Sequence, residues 1–362
     1  MDHRSRQAFV LGCAALVAAP LVMSAAPPGG ERAIVAQRIL SLTRETTWTL
    51  AGKVSVAFTT HHPQGMVKIG DVFYVSSVEV RVPPKRLAAR HGAYDRDTGE
   101  GTGHLFKISS TGQLLADVLL GEGAIYHPGG IDYDGVHIWV PVAEYRPNGR
   151  SMVYRVSPET MTATKAFTFD DHLGGIVHDT AAHALHGVSW GSRRFYRWVL
   201  DGSGRVKNVE TSPERLRRLN PSHYVDFQDC KAVAPERMLC TGVTTIRRPG
   251  DASPFGFGGV ELIDLKTDRP IHQTPVLLWT SGGLPMTQNP SWFEPGPDGA
   301  GLRAYFMPED NTSTIYIYDA DTRGLGDPLR LGDAIGLDEL PQFNGRSRHP
   351  ASGRRRRERI GS

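Results

Sequence analysis

From about residue 45 to residue 320, short runs of Val, Ile, Tyr, Phe and Trp are separated by clusters of Gly, Pro, Asn and Asp. The runs recur roughly every ten residues, which predicts strands closed by turns rather than helices. An all-β body is expected, and a helical bundle or a Rossmann domain is excluded.

The strand runs repeat in a fixed order, and repeats are to be recognised before any motif is weighed. In the first repeat His62-Pro63-Gln64-Gly65-Met66-Val67 leads through Ile69-Gly70-Asp71 into the run 72–79. In the second, His127-Pro128-Gly129-Gly130-Ile131-Asp132 leads through Asp134-Gly135 into 137–144. His62 to Tyr74 and His127 to Trp139 both span twelve residues, and Glu79 and Glu144 fall in register. A looser third copy starts at His172-Leu173-Gly174-Gly175. The fourth and fifth copies start at Asp226-Phe227-Gln228-Asp229 and Gln288-Asn289-Pro290, keeping the pattern without the histidine.

Third strands follow at 103–108, 151–156, 194–200, 259–265 and 314–319, and fourth strands at 114–120, 162–169, 206–209 and 272–279. Four antiparallel strands repeated radially define a β-propeller blade. Five blades are expected, with six as the alternative, over a domain spanning 45–340. Insertions are expected at 83–101 and 247–257. The outer strand of the fifth blade is expected either at 327–331 or from the segment 48–58, which would close the ring.

The chain of 362 residues has 40 Gly, 25 Pro and 22% charged residues, so it is not of the disordered class. Its N-terminus places Arg4 and Arg6 before an apolar stretch 8–23 and Ser24-Ala25-Ala26. That is the order of a secretory signal peptide, here 1–26, with an uncleaved anchor as the alternative. A linker at 27–44 and a periplasmic or secreted location follow. The formal charge of +3 is concentrated in residues 346–362, with seven Arg against one Glu, so 341–362 is expected as a disordered basic tail. The body is net acidic, which argues against nucleic acid as a partner. No further apolar stretch reaches membrane-spanning length, so no membrane contact is expected after cleavage, and the chain is expected as a monomer. Cys230 and Cys240 stand on two runs joined at Ala234-Pro235-Glu236, where export permits a disulfide; two buried thiols are the alternative.

The first strand of each blade lines the channel, so equivalent positions of successive blades converge on the axis. That position reads His62, His127, His172, Asp226 and Gln288. Three imidazoles with a carboxylate and an amide form a donor set for a divalent metal. Asp226 and Glu144 are the candidate proton-handling residues. Gln64, Gln228, Asp229, Gln288, Asn289 and Glu79 are the candidate contacts to a small polar ligand in the channel. The carboxylates Glu79, Glu144, Asp229 and Glu309 also admit a glycosidase pair or a calcium site. Gly99-Glu100-Gly101-Thr102-Gly103 does not have the spacing of a nucleotide-binding loop, and no G-x-S-x-G elbow occurs.

With its His-Pro-x-Gly blade starts and its export signal, the chain resembles secreted bacterial propellers, in particular an uncharacterised family with no assigned activity, over about residues 45–340. Carotenoid-cleaving oxygenases are similar in using four propeller histidines on iron, but Asp226 and Gln288 stand at the fourth and fifth positions here. The functional expectation is a metal-assisted hydrolase, or lactonase-like enzyme, acting on a small polar molecule. The alternative is a propeller that binds a ligand or protein without catalysis.

Overall fold

The computed structural model describes residues 28–322, except 248, 251–253, 298 and 300. The expected signal peptide 1–26, the candidate strand 327–331 and the basic tail 341–362 lie outside the described residues.

Each repeat folds into an antiparallel sheet whose main path has four strands, giving a five-bladed propeller. Blade 1 runs His62–Ile69, Val72–Val82, Glu100–Ile108 and Leu114–Leu120 from axis to rim. Blade 2 runs Ile125–Pro128, Ile138–Glu144, Ser151–Val156 and Ala163–Phe169, with Asp132–Tyr133 also paired to its second strand. Blade 3 comprises Leu173–Asp179, Ala184–Ser189, Arg194–Val199 and Arg218–Leu219. Blade 4 comprises Asp226–Ala234, Arg237–Ile246, Phe255–Asp264 and Arg269–Val276.

Blade 5 takes three strands, Ser291–Pro295, Leu302–Phe306 and Thr314–Ala320, from the end of the described chain. Its fourth is Trp48–Ser55, paired from Trp48 opposite Ala320 to Ser55 opposite Thr314. First and last segments therefore share one sheet, which closes the ring with five blades and leaves no sixth four-stranded sheet among the described residues.

Two expectations are corrected. The outer strand of blade 3 is not 206–209: that segment makes one bridge, Leu200 to Val206, and the Asn208 Oδ1 accepts the Val199 N–H at 2.9 Å. One bridge, the Lys207 N–H to Val199 O bond and the Asn208 side chain cover that edge without forming a strand, and the short strand Arg218–Leu219 pairs instead with Arg194 and Phe195. The presumed linker 27–44 contains a helix, Pro28–Leu40. Val35, Ala36 and Ile39 bury one face of it against blades 4 and 5, among them Val233, Leu239, Phe293 and Leu302. Glu31 in its first turn and Arg38 in its last match the helix dipole.

The axis itself is filled. A Cβ on Gly129 would stand 2.3 Å from the Gly174 carbonyl oxygen, so glycine is required where the inner strands of blades 2 and 3 touch. Asp229, 2% exposed, lies at this centre. Its carboxylate accepts the N–H of Met66 at 2.9 Å, of Ile131 at 3.2 Å and of Ser291 at 3.3 Å, and it also bonds the Lys231 ammonium. One side chain thus ties blade 4 to blades 1, 2 and 5 and separates the two ends of the channel.

Cys230 and Cys240 sit directly opposite each other on the first two strands of blade 4 and are disulfide-bonded.

Candidate functional site at the channel mouth

Inner strands begin at one end of the propeller, and there His62, His127 and His172 come together. The ring centres of His62 and His127 are 6.5 Å apart, and those of His127 and His172 are 6.0 Å apart. His172 Nδ1 lies 2.8 Å from the Glu144 carbonyl oxygen. A carbonyl can only accept, so Nδ1 carries the proton and a neutral His172 leaves Nε2 with its lone pair. Burial holds this imidazole down, at about 4, against the pull of the Glu144 bond. His127 is held well below its ordinary value by burial first and then by His172 and His62. Neither ring nitrogen of His127 has a hydrogen-bond partner, and its face stacks on Tyr145 with 4.1 Å between centres.

His62 is the most accessible of the three. Its Nδ1 is 2.8 Å from Asp310 Oδ1, which also accepts from Asn289 Nδ2 at 3.0 Å. Burial raises the Asp310 carboxyl, but the bonds from His62 and Asn289 outweigh it and keep the group below its usual range. The loops that carry this pair are fixed to each other at His61 and Asn311, whose φ values are +57° and +62°. Asn311 N donates to His61 O at 2.6 Å, and Thr60 N donates to Asn311 O at 2.9 Å. Two non-glycine residues in the left-handed region, bonded to each other, are conformations the surrounding fold has to enforce. They set His62 beside Asp310.

A cavity of about 490 Å³ opens over the pair, walled by His62, Glu79, Arg96, Tyr145, Asp310 and Asn311 among others. The insertion 83–101 forms a hairpin, Arg86–His91 with Tyr94–Arg96, beside this cavity. Arg146 packs 3.5 Å over the Tyr94 ring and also donates to Glu144 Oε2 at 2.7 Å. Arg96 binds Asp95 and lies 5.2 Å over Trp190. Tyr126 Oη donates to Thr98 O at 2.6 Å. The insertion is thereby anchored to blades 2 and 3 at the mouth.

The remaining sequence candidates divide. Glu79 and Asn289 lie at the mouth, Glu79 on the cavity wall and Asn289 behind Asp310. Glu144 is committed to Arg146 and, through its carbonyl, to His172. Gln288 sits in a turn, Met286–Gln288, rather than a strand, and donates to Pro308 O at 3.0 Å. Gln64 is buried with its amide on Pro63 O, and Gln228 stands beside the axis with its carbonyl near Gly130. Asp226 pairs with Arg193 at 2.6 Å in an exposed ion pair, so it is not brought to the histidines. Asp229 is consumed by the axis and is not open to a ligand. Asp310, Tyr145, Arg96 and Trp190 were not read from the sequence; Tyr145 and Asp310 each follow directly on a carboxylate that was.

Among the described residues, no three His, Cys, Asp or Glu side chains are placed to hold a metal ion. The tri-histidine ligand set is therefore not assembled as the rings stand, with His127 packed flat against Tyr145.

A larger cavity, about 630 Å³, lies at the opposite end beside the N-terminal helix. Its cationic groups are already engaged: Lys68 with Glu294 at 3.0 Å, Lys231 with Asp229, and Arg32 with Ala232 O at 3.1 Å. Among the described residues no helix is long and apolar enough to cross a membrane.

The propeller class is thus defined by fold and mouth together. Residues 28–324 match the model of a family of unknown function, DUF6454, and the chain belongs to that family. No curated protein matches it in sequence. Among solved structures it is similar to a tail fibre of a Staphylococcus aureus phage at 10% identity and a TM-score of 0.43, covering 84% of this chain. The chain spans 58% of that fibre's length. A hypothetical protein from Leishmania major is similar at 8% identity and a TM-score of 0.45, covering 77% of this chain and 93% of its own. Regucalcin from Agrobacterium tumefaciens, a calcium-binding protein, is similar at 14% identity and a TM-score of 0.39, covering 76% and 96%.

Proposed function

We propose that the chain is a ligand-binding propeller whose mouth cavity takes a small hydroxyl-rich molecule, a sugar or polyol. The observation that carries this is His62, oriented by Asp310 at 2.8 Å in a cavity of about 490 Å³. Donation from Nδ1 to the carboxylate leaves Nε2 as an acceptor. Glu79 and Asp310 add acceptors on the same wall, with Asn311 beside them, and Tyr145 offers an aromatic face. The cation on the wall, Arg96, is already neutralised by Asp95. An acceptor-rich, partly aromatic pocket of this size suits a ligand that donates several hydrogen bonds.

Calorimetric titration with a panel of sugars and polyols tests this. Binding that survives chelator and weakens roughly tenfold or more in His62→Ala and Asp310→Asn, each loss being a charge-assisted or buried bond, supports the reading. Absence of binding across the panel, or binding unchanged in both variants, overturns it.

One observation favours hydrolysis at the same place. The Asn289, Asp310 and His62 chain resembles the orienting part of a catalytic triad, in which a carboxylate fixes the tautomer of a general base. His62 Nε2 would take a proton from water attacking an ester or lactone carbonyl, without a metal. Hydrolysis lost in both His62→Gln and Asp310→Asn supports this use, and hydrolysis retained in His62→Gln removes it.

A further inference from the structure

Far from the mouth, at the opposite rim between blades 3 and 4, lies a small cavity of about 220 Å³. His186 and Arg197 are directly paired across the second and third strands of blade 3. Arg218, on the outer strand, pairs with Phe195, two residues from Arg197, so the three side chains share one face of the sheet. From blade 4 the turn residues Glu236 and Lys266 complete the wall, with Asp179 below them.

The hydrogen bonding at this rim is incomplete. Asp179 accepts the N–H groups of Ala181, Ala182 and Glu236, and Glu236 pairs with Lys266 at 2.5 Å; Asp268 Oδ2 lies 2.7 Å from Arg218 Nε, while its Oδ1 is buried without a hydrogen-bond partner. Neither Nε nor Nη2 of Arg218 makes a hydrogen bond, and Nδ1 of His186, which is 3% exposed, has no partner. The exposed Arg197 guanidinium has no hydrogen-bond or ion-pair partner among the described residues. Buried polar atoms without partners are costly and rare in folded proteins, and the guanidinium groups of Arg197 and Arg218 match the oxygens of an anion.

We infer that this rim is an oxyanion site, taking a phosphate- or sulfate-sized group between Arg197, Arg218 and His186. Burial, followed by the fields of Arg218 and Arg197, depresses the basicity of His186 to about 3, so the ring stays neutral, and as its Nδ1–H tautomer it would donate to the anion without adding a third repelling cation. The cavity holds one such group and little more. The occupant is therefore a free oxyanion or the terminal phosphoryl group of a larger molecule whose body projects past the exposed Arg197.

The test is calorimetric and thermal titration of the full chain with inorganic phosphate, with glycerol phosphate, and with chloride at matched ionic strength. The expected result is saturable binding and a raised Tm with phosphate or glycerol phosphate but not chloride, weakened roughly tenfold or more in Arg197→Gln and in Arg218→Gln. Arg197 is exposed, so Arg197→Gln keeps the fold and decides the matter if Arg218→Gln does not. Equal affinity for both phosphates marks the terminal phosphoryl group as the ligand, and preference for inorganic phosphate marks the free ion; either supports the site. A stabilisation that chloride reproduces, or phosphate binding unchanged in Arg197→Gln, overturns it.

Discussion

His172 donates its Nδ1 proton to the carbonyl of Glu144, 2.8 Å away, across the junction of blades 2 and 3. The bond joins two positions that the repeat had marked for different reasons, one as a metal ligand and one as an acid. It fixes the imidazole as a neutral tautomer inside a buried layer of rings.

Acid should therefore destabilise the protein in a defined window. The folded value for His172, about 4, lies below the ordinary 6.5, so the folded state binds the proton more weakly than the unfolded chain. Its stabilising share is complete above about pH 6.5 and is lost as pH falls toward about 4, a loss of order 3 kcal/mol. Denaturant unfolding at pH 7.5 and pH 4.5 measures it. His172→Gln should remove part of the difference, and an identical pH dependence in wild type and variant would contradict the assignment.

Removing the Asp229 carboxylate should unlock the axis. In Asp229→Ala the N–H groups of Met66, Ile131 and Ser291 lose an acceptor and Lys231 becomes a buried unpaired ammonium. A loss of about 3–5 kcal/mol is expected from breaking a buried pair of this kind. Asp229→Asn, which keeps acceptor capacity, should lose less. Chemical denaturation of both variants provides the comparison, and near-wild-type stability in Asp229→Ala would refute the axial role.

Much of this architecture was legible from the chain because each inner strand opens with the same punctuation. His62, His127 and His172 were placed at equivalent blade positions by counting alone. Asp229 shows where counting ends: its partners come from three other blades, so no local pattern distinguishes an axial acid from one at the mouth. Asp310 was overlooked for a related reason, since its meaning depends on His62, 248 residues away. The N-terminal helix was read as a linker because Pro28, Gly29 and Gly30 open it. Its apolar face, Val35, Ala36 and Ile39, is short, and burial against blades 4 and 5 rather than local propensity supports it.

Reduction should weaken blade 4 without dismantling the ring. The Cys230–Cys240 bond closes a loop with a sequence separation of 10. Loop-closure entropy puts its contribution at about 3 kcal/mol. Because the two strands also pair along their length, the Cys230→Ala, Cys240→Ala double variant is expected to fold with a lowered Tm. A variant with unchanged stability would show that strand pairing alone carries this region.

The most direct test of the mouth as a ligand site is nitrogen NMR of the histidine rings, assigned with His62→Ala, His127→Leu and His172→Gln, during titration with sugars and polyols. The account predicts that His172 is a neutral Nδ1–H tautomer at pH 7 and that the His62 Nε2 resonance moves saturably with a ligand while Nδ1 keeps its bond to Asp310. If none of the ring nitrogens of His62, His127 or His172 responds to any compound in the panel, the mouth is not the ligand site.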